Sequence, residues 1–255
     1  MKSKEEIINE LRQKGISIIE NYYDLDYCKK AINEINNIIS INKEKVVSIR
    51  TENTSGDERI FKIENQSKSA KYFKNDSFIE NILQSISKRK IESYFILGGK
   101  LKASQNIIKN SGGGWHRDSD NSQFKSMLYL NDVDEFNGPF LFIQNSKQFD
   151  VSRKSSNSNK TLLHKFLILI GKMKSSSPRY EDKNVQKFLN KNKIIPLEIR
   201  GKAGTLILFN GSYIHRGKNI EKGARYSFTN YFFNSNIKTR YFRNKQFKNL
   251  FIKEY

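Results

Sequence analysis

The sequence predicts a mainly β fold of the jelly-roll type, flanked by α-helices. Two observations carry this. Beyond residue 90, six short segments rich in β-branched and aromatic residues alternate with Gly, Asn, Asp and Pro. Before residue 90, most apolar positions recur at helical spacing. Many short strands with turn signals between them close most readily into a sandwich or barrel, with the helices left to cover it.

The elements follow in order. Residues 4–13 read as a short amphipathic helix, Gly15 to Ile19 as a strand, and Asp24 to Ile39 as a longer helix with Asp24 or Asp26 as its N-cap. Cys28, the single cysteine, falls on that helix and is expected to be a buried apolar side chain; no internal disulfide is possible. Ser48 to Asn65 is polar and poorly periodic, a loop with strand fragments, and Asp76 to Lys88 is another short helix. The predicted strands are Glu92 to Ile96, Lys100 to Ile108, Phe124 to Leu130, Phe140 to Ile143, Gly204 to Phe209 and Arg225 to Phe233, with Gly138-Pro139 as turn chemistry. Residues 151–195 interrupt the series with a Ser/Lys/Asn-rich start, a helical middle and a helix-like stretch near Val185 to Leu189. They hold too few apolar positions for a core of their own, so one domain over 1–255 with an insertion at 151–195 is expected.

The N-terminus is charged throughout, and the longest apolar run, Phe166 to Ile170, is far too short to span a bilayer; a soluble, cytoplasmic protein is expected. A formal net charge of +20 raises nucleic acid, an anionic membrane surface or an acidic substrate as partners. The lysines, however, run from Lys2 to Lys253 and accompany heavy use of Asn and Ile, as an AT-rich coding sequence would produce. Within 151–195 basic residues greatly outnumber Glu181 and Asp182. Two readings stay open there: a lid over the barrel mouth that selects an anionic small-molecule substrate, or a solvated loop sharing the general lysine bias.

In Gly112-Gly113-Gly114-Trp115-His116-Arg117-Asp118 the histidine and aspartate lie two apart, so on extended backbone both project from one face. That pair can clamp a metal. The other histidines are His164, inside the insertion, and His215, just after Leu206 to Asn210 and a Gly211-Ser212 turn, where a side chain can be aimed from the barrel rim into its mouth. Two histidines and a carboxylate leave coordination positions open, the arrangement of non-haem Fe(II) oxygenases rather than of closed zinc sites. Trp115 is read as the packing residue that fixes this strand.

Several blocks, in order, resemble the phytanoyl-CoA dioxygenase family of Fe(II)/2-oxoglutarate oxygenases: "GISIIENYYDLDYCKKAINEI", "WHRD", "YLNDVDEFNGPFLFIQNSKQF" and "IPLEIRGKAGTLILFNGSYIHRGKNIEKGARYSFTNYFF". The resemblance omits roughly 40–65 and 151–193. It implies a double-stranded β-helix (cupin-like) core, His116, Asp118 and His215 as iron ligands, Arg225 as the partner of the distal carboxylate of 2-oxoglutarate, and hydroxylation of an unactivated carbon with dioxygen. Where many relatives have Gly-Ser-His, this chain has Asn145-Ser146-Lys147, which bears on the substrate pocket and not on the metal. Retention of Asp118 argues against the related halogenases.

Arg225 also has a physical case. It opens a strand on which Arg225, Ser227, Thr229 and Tyr231 share one face. A guanidinium on an inward face is costly unless paired, and a dicarboxylic cosubstrate is a partner its planar fork fits. Ser227 is a candidate second donor to that carboxylate. Gln105, Asn106 and Tyr129 are further candidate cosubstrate contacts, although Gln105 and Asn106 cannot both face the site. Nucleic-acid demethylases of the same chemistry carry a second arginine six residues after the first; position 231 is tyrosine, which argues against that alternative. A non-catalytic binding protein on the same barrel is disfavoured by the presence of all three ligands and Arg225.

Overall fold

Ten strands fall into two antiparallel sheets in a computed structural model that describes residues 2–41, 47–48, 56–103, 114–119, 122–148 and 179–236. The larger sheet contains β1 (Ile16–Ile19), β2 (Val47–Ser48), β3 (Asp57–Phe61), β4 (Ile91–Lys102), β5 (Phe124–Tyr129), β8 (Leu206–Asn210) and β10 (Ala224–Asn234), in the order β1-β8-β5-β10-β4-β3-β2. The smaller contains β6 (Phe140–Phe142), β7 (Leu197–Ile199) and β9 (His215–Gly217), in the order β7-β6-β9. Most neighbours, such as β1 and β8, β5 and β10, and β10 and β4, are distant in sequence, the mark of a jelly roll.

Alternation decides what each face of the large sheet meets. On β8, Ile207 and Phe209 point inward and pack with Tyr129 of β5, Phe140 and Phe142 of β6 and Ile199 of β7, so this cluster is the core between the sheets. Leu206 and Leu208 point outward and join Leu128 and Phe228 under the helices α1 (Lys4–Lys14), α2 (Leu25–Ile41), α3 (Lys68–Lys74) and α4 (Ser77–Ile86). A third cluster packs Val185 and Leu189 of α5 (Asp182–Asn192) on Trp115, Leu141, Ile143 and Ile214. Trp115 is therefore a packing residue, as expected.

The helices begin where capping predicts. Ser3 and Glu6 form a reciprocal capping box, the Asp24 carboxylate accepts from Tyr27 N, and Asp76 accepts from Phe78 N and Ile79 N. Cys28 is buried on α2. No helix among the described residues is long and apolar enough to cross a membrane.

The structure refines the local reading. The segments Glu92 to Ile96 and Lys100 to Lys102 are one strand, because Gly98-Gly99 marks a close approach rather than a break: a Cβ on Gly98 would lie 2.5 Å from Cδ1 of Ile63, while positions 104–108 of the expected strand lie outside the described residues. Ser48 to Asn65 contributes β3 and a 3-10 turn (Ile63–Asn65). Strands β7 and β9, three residues each, and α3, seven, are too short for periodicity to announce. His215, read from the sequence as lying just after the Gly211-Ser212 turn, opens β9.

Candidate metal centre

Backbone pairing assembles the three ligands. His116 and His215 exchange two hydrogen bonds, each N to the other's carbonyl at 3.0 Å, while Asp118 N donates to Gly211 O at 2.8 Å. The turn after β8 is thereby stitched to the His-x-Asp segment. One potential ligand atom from each of His116, Asp118 and His215 lies within 4.8 Å of the others.

Both imidazoles are oriented the same way. Nδ1 of His116 lies 2.8 Å from Gly114 O, and Nδ1 of His215 lies 2.8 Å from Tyr213 O. A carbonyl can only accept, so each Nδ1 carries the proton and each Nε2 presents its lone pair to the cluster. His215 Nε2 is 3.3 Å from Asp118 Oδ2, and His116 Nε2 is 4.0 Å from Asp118 Oδ1. Asp118 Oδ2 is buried without a hydrogen-bond donor. Acceptors facing acceptors in a buried space are satisfied together by a cation, so the donor set fits a metal ion.

Electrostatics keep His116 and Asp118 in ligating form. Burial first, then the proximity of His215, pushes the His116 imidazole down to about 3, so it is neutral. Burial would raise the Asp118 carboxyl, but Lys125 and His215 outweigh it and hold it well below the usual carboxylate range. The carboxylate fits only because residue 211 is glycine: a Cβ there would fall 2.3 Å from Asp118 Oδ2.

Sequence reasoning missed Lys125. Its buried ammonium lies 2.8 Å from Asp118 Oδ1 and 4.2 Å from the Tyr231 ring centroid. Burial alone would lower Lys125, but Asp118 and Tyr231 overcome that and raise it. The signal was available, since Lys125, Met127 and Tyr129 alternate on the inward face of β5, where a lysine demands a partner.

A cavity of about 270 Å³ opens beside the triad, and Arg225, Ser227, Thr229 and Tyr231 all line it, as the strand alternation requires. Arg225 Nη1 donates to Gly138 O, whereas its Nε is buried with no hydrogen-bond partner. Gly138 has φ +78°, and a Cβ there would meet Lys218 O at 3.0 Å, so the acceptor's position depends on glycine. Burial lowers Arg225 from the usual guanidinium range, opposed by Tyr129 and Asp57. Ser227 borders the cavity near Gly99.

Tyr129 is placed differently. Its hydroxyl donates to Ile199 O and accepts from Phe140 N, both at 3.0 Å, and its ring lies in the core between the sheets rather than along the cavity wall. Gln105 and Asn106 lie outside the described residues, as do residues 151–178 of the insertion. Arg59, from the stretch read as polar loop, borders the cavity and was not singled out; Arg179, which the sequence offered only as one of the many basic residues of the insertion, borders it too.

No family model and no curated protein matches this sequence. Among solved structures the chain is similar to the epimerase SnoN in complex with Fe3+, alpha ketoglutarate and nogalamycin RO, at a TM-score of 0.66 and 10% identity over 91% of this chain and 84% of that one. It is similar to EctD from S. alaskensis with bound Fe, at 0.62 and 12% over 92% and 77%. It is also similar to HygX from Streptomyces hygroscopicus with nickel, 2-oxoglutarate and hygromycin B, at 0.56 and 12% over 90% and 87%. At such identities the likeness is one of fold, and the described residues adopt the jelly-roll fold of these proteins.

Proposed function

We propose that the chain is an Fe(II)- and 2-oxoglutarate-dependent dioxygenase that hydroxylates an unactivated carbon of a small molecule. The observation that carries this reading is one cavity holding a His116, Asp118 and His215 ligand set at one place and, at another, a partly buried Arg225 whose Nε is buried without a hydrogen-bond partner. A facial set of two imidazoles and one carboxylate leaves coordination positions for a chelating cosubstrate and dioxygen. Bound there, iron with 2-oxoglutarate would supply the oxidising power.

The chain's own contributions follow from its geometry. Both Nδ1 to carbonyl bonds fix which imidazole nitrogen ligates. Arg225, with Ser227 beside it on the same face, would hold the distal carboxylate of the cosubstrate, giving the buried Nε an acceptor. Leu97, Leu101, Met127 and Phe140 line the same space and limit water around it.

SnoN is described as an epimerase and SnoK as a carbocyclase, so the fold hosts outcomes other than hydroxylation. Product mass separates them: hydroxylation adds one oxygen, epimerisation leaves mass unchanged, and ring closure removes two hydrogens. The test is anaerobic reconstitution with Fe(II) and 2-oxoglutarate followed by oxygen and a substrate panel. Stoichiometric succinate with an oxygen added to the product supports the reading; no succinate from an iron-loaded protein opposes it. Tyr231, stacked on Phe95 and beside Lys125, stands where demethylases of this chemistry carry their second arginine, which weighs against a nucleic-acid substrate.

A further inference from the structure

Lys125 is enclosed by two aromatic rings. On β5 it is paired on one side with Phe209 of β8 and on the other with Tyr231 of β10. Directly opposed residues share a face, so both rings flank the lysine. Its Nζ lies 6.0 Å from the Phe209 centroid and 4.2 Å from that of Tyr231, and Tyr231 is itself stacked on Phe95 at 4.5 Å and 14°. The lysine side chain is only 5% exposed. A buried ammonium has to be paired, and the oxygen it reaches is Oδ1 of Asp118, at 2.8 Å. Asp57, the other acidic residue bordering the cavity among the described ones, is engaged by Arg59 through both oxygens.

The carboxylate of Asp118 is thereby set at an angle to the imidazoles. Oδ2 lies 3.3 Å from His215 Nε2 and has no hydrogen-bond donor, while Oδ1 lies 4.0 Å from His116 Nε2. Ligands about 2.1 Å from one metal and at right angles to each other are about 3 Å apart. Oδ2 is close to that spacing from His215, and Oδ1 is beyond it from His116. Gly211 leaves the room that Oδ2 takes, since a Cβ there would lie 2.3 Å away, and Lys125 draws Oδ1 to its own side.

The consequence lies in the coordination positions. Two imidazoles and one carboxylate oxygen leave an octahedral metal the positions that a chelating cosubstrate and dioxygen need. Were both oxygens of Asp118 to bind, the position for dioxygen would be taken. An Oδ1 without Lys125 would be a buried, unpaired acceptor, and the metal is the cation within its reach.

We infer that Lys125 is a positioning residue of the metal centre: by engaging Oδ1 it restricts Asp118 to ligation through Oδ2 and so keeps one coordination position open. The inference rests on the oxygenase reading, because it assumes a metal on the triad that has to accept both a chelating cosubstrate and dioxygen. Lys125 acts through Asp118 and is not itself a ligand.

The test is infrared difference spectroscopy of the full chain, Mn(II)-loaded minus metal-free, under argon and without 2-oxoglutarate. A carboxylate bound through one oxygen separates its antisymmetric and symmetric stretches widely; one bound through both brings them together. The Asp118 bands are assigned by their loss in Asp118→Asn. The wild type should show the wide separation. Lys125→Met, which keeps the apolar stem, should narrow it while binding Mn(II) no more weakly than the wild type. A merely structural role would weaken Mn(II) binding and leave the separation as it is. A narrow separation in the wild type, a wide one in Lys125→Met, or loss of Mn(II) binding by a folded Lys125→Met overturns the inference. If Lys125→Met does not fold, the wild-type spectrum decides: a wide separation supports the inference and a narrow one overturns it. Titration of the Mn(II)-loaded wild type with 2-oxoglutarate is read separately. Binding there leaves the oxygenase reading standing even when the infrared result overturns the inference, whereas no binding removes that reading and the inference falls with it.

Discussion

The two oxygens of Asp118 are divided: Oδ1 lies 2.8 Å from the buried ammonium of Lys125, and Oδ2 faces His215 Nε2 at 3.3 Å. The lysine thus occupies one oxygen and leaves the other to a metal. In the metal-free protein Lys125 is the cation that compensates a buried carboxylate; with metal bound, the ion shares that task.

Lys125→Met keeps the apolar stem and removes the charge. The metal-free variant should lose about 3–5 kcal/mol of stability, the cost of leaving one partner of a buried ion pair uncompensated. The metal-loaded variant should lose clearly less. Urea unfolding of both forms measures this, and an equal loss in each would mean that the metal does not share in compensating Asp118.

Gly211→Ala places a methyl group 2.3 Å from the present position of Asp118 Oδ2, so the carboxylate has to leave that position while the bond from Asp118 N to Gly211 O keeps the two backbones together. Metal affinity should fall by about tenfold or more, the equivalent of one displaced charge-assisted interaction, while far-UV circular dichroism is retained. A Mn(II) titration identical to the wild type would show that the carboxylate adopts another rotamer.

Arg225→Lys keeps a positive charge but loses the two-pronged fork. Binding of 2-oxoglutarate should weaken by about 1.5–3 kcal/mol, the range for a hydrogen bond to a charged group, with iron binding spared. An unchanged cosubstrate titration would assign the distal carboxylate to a different basic residue.

Tyr129→Phe separates a strut from a cosubstrate contact. Its hydroxyl bridges Phe140 N and Ile199 O across the two sheets. Removing it should cost about 1–3 kcal/mol of stability for the buried groups left unpaired, with the 2-oxoglutarate affinity of the metal-loaded protein unchanged. A loss of affinity without a loss of stability would restore Tyr129 to the cosubstrate site.

What the sequence revealed and what it hid follow one physical division. Local periodicity was legible: His116 and Asp118 share a face because extended backbone alternates, and the same rule put Arg225, Ser227, Thr229 and Tyr231 along one cavity wall. The start of α2 was marked by Asp24, one of the two N-cap candidates. Long-range pairing was not legible. Nothing near Lys125 in sequence announces Asp118 or Tyr231, and the convergence of Arg59 and Arg179 depends on β3 and on a bridge to His116 that only the folded chain creates. Three-residue strands such as β7 and β9 carry no period, and Gly98-Gly99 has the composition of a turn although it serves close packing against Ile63.

The central claim is that His116, Asp118 and His215 hold an iron that consumes 2-oxoglutarate. The most direct measurement is anaerobic loading with Fe(II) and 2-oxoglutarate, iron analysis, and quantitation of succinate after oxygen is admitted, on the wild type and on Asp118→Ala. Because the cores are built from other residues, Asp118→Ala should keep its circular dichroism spectrum. Stoichiometric iron and succinate release are expected in the wild type, and loss of both in Asp118→Ala. An Asp118→Ala protein that bound iron stoichiometrically and still produced succinate would contradict the claim, as would a folded wild type that bound no iron.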